Sequence, residues 1–145
     1  MKKAGTHIAV LSRQLNLYLC HELAETEITA SELLYLAQLY VRDGQTQEEM
    51  ASEISVDRAA TTRTIQAMEK KGLIRRASDS ADKRAKNVYL TDKARSYEMR
   101  IREIQASWIE FITQDMNGDQ SDLFAKQLEQ MANRAKEIII KQKGE

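Results

Sequence analysis

The sequence predicts a mainly α-helical fold with a small β-hairpin wing, a winged helix-turn-helix joined to a helical dimerisation region. Three observations carry that expectation. The 145 residues hold no proline and five glycines, which favours long uninterrupted helices over a turn-rich β protein. Apolar residues recur at three- and four-residue steps through most of the chain. The exception is a pair of strand-like runs, "LIRRAS" and "KNVYLT", placed directly behind two closely spaced helices.

Residues 6–24, "THIAVLSRQLNLYLCHELA", form the first amphipathic helix, with Ile8, Leu11, Leu15, Tyr18 and Leu19 on its apolar stripe. Thr29 and Glu32 make a capping box for the second helix. Its run "LLYLAQLYV" is apolar nearly all round, as in a helix buried on several sides. Gly44 punctuates "RDGQT", and Thr46-x-x-Glu49 caps a short third helix that turns Met50 and Ile54 inward. After the turn "SVD" comes "RAATTRTIQAMEKKGLI", closed by Lys70 and Lys71 in the last turn and Gly72 after the cap. Short helix, turn and longer helix make a helix-turn-helix.

The two strands follow, with Ile74, Val88 and Leu90 directed to the core. Thr91 caps a long helix carrying Ala94, Tyr97, Ile101, Ile104, Trp108 and Phe111, and Asn117-Gly118 ends it. A last helix carries Phe124, Leu128, Met131, Ala135 and Ile138. Both show heptad-like seams. Together with the first helix they offer more apolar stripe than a monomer of this size covers. The expected dimer seam comprises Ile8, Leu11, Leu15, Trp108, Met131 and Ile138.

Charge is balanced overall, with 22 basic and 22 acidic residues, but not locally. Residues 1–57 have a net charge of −5, residues 58–86 of +6, and residues 87–145 of −1. A basic segment in a neutral protein suits a polyanion, or is a solvated charged face. The fourth helix favours the polyanion. Thr61, Ile65 and Met68 share its inner face, whereas Ala59, Thr62, Arg63, Gln66 and Lys70 share the outer one, without an acid among them. Arginine matches guanine, glutamine matches adenine, and threonine or alanine meets a thymine methyl or a phosphate. Arg58 opens the same helix, and Lys83, Arg84 and Lys86 crowd the turn between the strands. Arg84 at the tip is long enough to enter a narrow minor groove. Asp82 fixes the turn by pairing with an arginine.

"VDRAATTRTIQAMEKKGLIRR" resembles the recognition helix and first wing strand of the MarR family, and "DKRAKNVYLTDKA" resembles its wing signature, Asp-x-Arg…Leu-Thr. The chain is similar to such transcriptional regulators over nearly its whole length. The resemblance implies a triangular homodimer, joined through its first and last helices, reading a pseudo-palindrome of double-stranded DNA. It places the family's recognition-helix arginine on Arg63, beside Thr62, its wing arginine on Arg84, and that residue's partner aspartate on Asp82. Family members often repress neighbouring genes and release DNA on binding a small, often aromatic, anion. The expected division is residues 1–28 and 92–145 for dimerisation and 29–91 for DNA binding. A protein-interaction module and a non-specific architectural DNA binder are the alternatives.

Catalysis is not expected: there is no phosphate-binding glycine loop, His-x-x-x-His spacing or nucleophile elbow. No cofactor is expected. A chain with one cysteine forms no internal disulfide, and no apolar run spans a membrane, so a cytoplasmic setting is expected. His7 and His21 lie about 21 Å apart along one helix, too far to share a metal. In the family's peroxide-sensing branch the reactive cysteine falls near His7 or Ile8, several turns before Cys20. The redox mechanism therefore does not carry over.

Overall fold

Local chemistry starts most of the helices in the computed structural model, which describes residues 1–78 and 86–143, with side chains through residue 138. Helix α1 spans Ala4–Glu22 and α2 spans Ala30–Val41. Thr29 caps α2 reciprocally: its hydroxyl accepts from the Glu32 amide at 3.1 Å, and the Glu32 carboxylate accepts from the Thr29 amide at 2.9 Å. The same box, between Thr46 and Glu49, starts α3, Gln47–Ile54. Asp57 caps α4, Arg58–Lys70, by accepting from the Ala60 amide. Each cap satisfies backbone donors that a helix start leaves open.

The sheet is larger than the sequence suggests. Strand β1, Gln45–Thr46, joins β2, Ile74–Ser78, and β3, Lys86–Leu90, in the order β1-β3-β2. All pairs are antiparallel, with Ile74 opposite Leu90, Arg76 opposite Val88, and Gln45 opposite Val88 on the other edge. Gly44 turns the chain into β1 with φ +77°, and a Cβ there would lie 2.8 Å from the Tyr89 ring. Only glycine meets both demands without strain. Gly72 follows α4 with φ +72°, the left-handed position expected after a helix end.

Two further expectations change. The helix opened by Thr91 is not continuous: α5 covers Asp92–Ser96 and α6 covers Glu98–Ile112. The Ser96 hydroxyl takes the Lys93 carbonyl at 2.6 Å, and the Tyr97 amide bonds Ala94 instead, three residues back. A side chain competing for a backbone acceptor tightens the helix there. Asn117-Gly118 does not terminate that helix but starts α7, Gly118–Lys143. Asn117 accepts from the Gln120 amide at 3.0 Å and donates its own amide to the Gln120 side chain at 2.9 Å. An asparagine N-cap is as favourable as a turn at this point.

The chain divides into two compact units, Met1–Trp108 and Ile109–Glu145. The core of the first joins Leu19 and Leu23, Leu33, Tyr35, Leu36 and Leu39 of α2, Met50, Ile65, Met68, the strand residues Ile74, Val88 and Leu90, and Ile101 and Ile104 of α6. Burying each such side chain contributes about 1.5–3 kcal/mol before chain entropy is counted. Helix α2 is the central element, as its composition suggests, yet Leu34 and Val41 on it stay exposed. In the second unit the apolar side chains Leu123, Leu128, Met131 and Ile138 of α7 are exposed.

Candidate nucleic-acid interface

Helix α4 is anchored by its inner face. Thr61 is 1% exposed and shares a 3.1 Å hydrogen bond with the Tyr35 hydroxyl. Ile65 and Met68 are fully buried beside it. Its outer face then presents Ala59, Arg63, Gln66 and Lys70 to solvent, with Thr62 half-buried at the edge. The split between these faces agrees with the helical periodicity of the sequence. At the N-terminal end, Asp57 is held below the ordinary carboxylate range, first by the hydrogen bond from the Ala60 amide, with help from the Ala59 amide and the Arg63 charge. It therefore stays an anion and keeps capping the helix at neutral pH.

The basic cluster is not all outward-facing. Lys71 pairs with the buried Glu32, and Arg76 with Glu69. Arg58 pairs with Glu48 of α3 on the surface and, like Arg63, Lys70, Arg75 and Lys86, is exposed. Arg75 lies over the Tyr89 ring at 4.7 Å, a cation–π contact that limits its wandering. Part of the positive excess thus holds the fold together and part faces solvent. Asp82, Lys83 and Arg84, assigned to the wing tip, lie outside the described residues; Lys86, the first residue of β3, is described.

The helix is also pinned at its C-terminal end. The Lys71 ammonium donates to both Glu32 carboxylate oxygens at 2.8 Å and to the Glu27 carbonyl at 2.6 Å. Lys93 of α5 bonds the Lys71 carbonyl at 2.7 Å and pairs with Glu27. On the wing side, Arg76 of β2 grips Glu69 through Nε and Nη2. That contact, with the charge of Lys86 adding to it, draws the Glu69 carboxyl below its usual range. Helix, wing and α2 are thereby cross-tied by ion pairs that join residues 7 to 39 positions apart. Sequence reading missed Gln47, Glu48, Glu69 and Arg76 at this surface. Gln47 bridges α3 to both Arg76 and Thr62.

The residues expected in a dimer seam divide into two groups. Ile8 on α1 and Met131 and Ile138 on α7 are more than half exposed, and Leu11 nearly so. Leu15 packs against the core of its own chain, and Trp108 lies 5.3 Å from the Tyr18 ring. Part of that apolar stripe is therefore satisfied within one chain. Val10 and Leu17 add exposed apolar surface to α1 that the helical periodicity did not single out.

A cleft of about 480 Å3 opens beside α2, walled by Leu34, Ala37, Tyr40, Val41, Ile54, Arg102 and Gln105. Tyr40 donates to the Ala94 carbonyl at 2.6 Å, and its pKa is pushed up to about 12, chiefly by burial and secondly by Glu98. Its phenol is neutral across the physiological range. Cys20, His7 and His21 are exposed. Among the described residues no group of three His, Cys, Asp or Glu side chains could hold a metal, and no helix is long and apolar enough to cross a membrane.

Residues 28–86 match the model of the MarR family. The chain is 31% identical over 97 residues to an uncharacterised HTH-type transcriptional regulator, YybA, of Bacillus subtilis (strain 168). That match covers 66% of this chain and spans 65% of the relative's length. Among solved structures, the chain is similar to a MarR transcriptional regulator from Methanosarcina mazei Go1, with a TM-score of 0.86 and 26% identity over 95% of this chain and 99% of that one. It also shares its fold with a MarR family regulator from Listeria monocytogenes complexed with a 26mer DNA. There the TM-score is 0.90 at 20% identity, over 94% of this chain and 91% of that one.

Proposed function

We propose that the chain is a MarR-family regulator, as the family match at residues 28–86 supports: a sequence-specific double-stranded DNA-binding transcriptional regulator, a homodimeric repressor released by a small-molecule effector. The observation that carries this reading is the outer face of α4. It is exposed, free of acids along Ala59, Thr62, Arg63, Gln66 and Lys70, and braced from behind by Thr61, Ile65 and Met68. A braced helix with such a face suits a major groove. Thr62, Arg63 and Gln66 would meet base edges and phosphates there. Arg58, Lys83, Arg84 and Lys86 would supply backbone and minor-groove contacts, with Asp82 shaping the wing.

Dimerisation is assigned to residues 1–28 and 92–145, and DNA binding to residues 29–91. Exposed Ile8, Leu11, Met131 and Ile138 support that assignment, since apolar stripes of this kind are normally covered. Leu15 and Trp108 would flank the seam rather than form its centre. Two lobes related by a two-fold axis require a pseudo-palindromic operator. The cleft beside Tyr40 has the size for a small aromatic or anionic effector, with Gln38, Arg102 and Gln105 among its polar groups.

The test is a titration of the protein on DNA from upstream of its own gene, against scrambled DNA of equal length at fixed near-physiological salt. A preference of about a thousandfold or more, with one dimer per site, is the expected result. Equal binding to both would leave an architectural role or an operator elsewhere in the genome, which an unbiased sequence selection separates. Binding to neither would favour a protein-interaction module, or a protein already held in its released state by a bound effector.

A further inference from the structure

The edge of α4 carries a hydrogen-bond relay whose polarity is fixed by charge. Arg76 Nη1 donates to Gln47 Oε1 at 3.4 Å, and Gln47 Nε2 donates to Thr62 Oγ1 at 3.3 Å. A guanidinium offers donors and no acceptor. Gln47 must therefore turn its oxygen toward Arg76, which leaves its NH2 facing Thr62. The opposite amide orientation would set two donors against each other. Arg76 cannot swing away cheaply, because Glu69 holds it through two of its nitrogens, one at 2.6 Å.

The consequence falls on Thr62. Its oxygen accepts from Gln47, so its own proton must point elsewhere. Two residues on, the Thr64 hydroxyl donates back to the Ala60 carbonyl at 3.0 Å, the usual outlet for a threonine inside a helix. Thr62 makes no such bond within the described residues. Thr62 also lines a cleft of about 180 Å3 between α3 and α4, together with Gln47, Glu48, Arg58 and Thr61.

We propose that Arg76 and Gln47 are positioning residues that occupy one acceptor site of the Thr62 oxygen and leave its proton for donation to a hydrogen-bond acceptor on DNA. That acceptor is a phosphate oxygen or an acceptor atom of a base edge. The inference rests on the DNA-binding reading above. It refines that reading by giving Thr62 a preferred polarity, since a free hydroxyl carries one donor and two acceptor sites.

A double-mutant cycle tests it. Gln47→Glu is isosteric and reverses the relay, because a carboxylate accepts from both Arg76 and Thr62 and captures the Thr62 proton. Full-length wild type, Thr62→Val, Gln47→Glu and the double variant are titrated on duplex DNA from upstream of the gene and on a scrambled duplex. Loss of one hydrogen bond to an anion or base predicts that Thr62→Val weakens wild-type binding about fivefold to tenfold, but the Gln47→Glu protein less than about twofold. Repulsion between the new carboxylate and DNA is present on both sides of the cycle and cancels. A penalty equal on both duplexes identifies a phosphate as the acceptor, and one confined to the preferred duplex identifies a base edge. An equal Thr62→Val penalty in both backgrounds overturns the proposal.

A second measurement separates the relay from the reading beneath it. In the free protein, NMR should show a nuclear Overhauser contact between the Gln47 side-chain amide protons and the Thr62 methyl, lost in Arg76→Met. Its absence from wild type overturns the relay whatever the DNA result. Its presence in a protein that binds neither duplex would overturn the DNA reading, and with it the role given to Thr62.

Discussion

Replacing Lys71 by methionine isolates the strongest cross-tie around α4. The ammonium contacts both oxygens of Glu32 at 2.8 Å and the Glu27 carbonyl at 2.6 Å. The Glu32 side chain is 4% exposed and that of Lys71 29%. Methionine keeps the aliphatic stem and removes the charge, leaving a carboxylate with only the Thr29 amide as a partner among the described contacts. Removing one partner of a fully buried pair typically costs about 3–5 kcal/mol. Water already reaches the lysine, so the cost expected here is lower, about 2 kcal/mol. For a chain of this length that corresponds to a fall in Tm of roughly 6 °C. The assay is thermal unfolding followed by circular dichroism at pH 7 and one fixed protein concentration, since self-association would make Tm depend on concentration. Adding Glu32→Gln to Lys71→Met should recover part of the loss, because it removes the stranded charge. A Tm within about 1 °C of wild type would refute the reasoning and reduce the pair to a solvent-screened contact of negligible weight.

Other perturbations read different parts of the molecule. Arg84→Ala is expected to weaken binding to the preferred DNA by about 1–3 kcal/mol while leaving the dimer intact, and wild-type affinity in that variant would show that the wing does not touch DNA. Ile138→Glu is expected to shift sedimentation toward monomer and to weaken DNA binding with it; a monomer that binds at full strength would rule out the two-lobe arrangement. Gly44→Ala combines a left-handed backbone with a Cβ 2.8 Å from Tyr89. It is expected to cost about 1–2 kcal/mol in urea unfolding from the backbone alone, and more if the ring cannot shift. Glu69 is depressed by its hydrogen bond from Arg76. Its stabilisation is therefore present above the unfolded-state carboxylate pKa and is lost as pH falls through the lower folded value. Urea titrations between pH 7 and the acid range should show a shallower loss in Arg76→Met than in wild type; identical slopes would remove the pair from the acid response.

Much of this molecule is written in short-range pattern. The capping boxes at Thr29 and Thr46 span three residues and act on the backbone beside them, so they are legible without any tertiary knowledge. The inner face of α4 is equally plain, because Thr61, Ile65 and Met68 follow helical spacing and their burial follows from it. The break at Tyr97 was not legible: it depends on which acceptor the Ser96 hydroxyl takes, and the apolar steps run straight through it. Asn117-Gly118 was ambiguous for a related reason, since asparagine followed by glycine serves as readily to start a helix as to end one.

What the sequence determined by itself is the order of helices, the hairpin, and which face of α4 is left for a partner, because each follows from contacts a few residues apart. That Gln45 and Thr46 add a third strand emerges from the folded chain alone, since two residues carry no periodicity and their pairing partners stand more than forty positions away. Folding also decides which basic residues are spent internally. Lys71 and Arg76 look like their neighbours Lys70 and Arg75 in the sequence, yet Glu32 and Glu69 claim the first two, while the second two remain exposed. Charge on a chain is counted residue by residue, but its availability to a partner depends on which carboxylates folding brings within reach, and that is a property of distances in space.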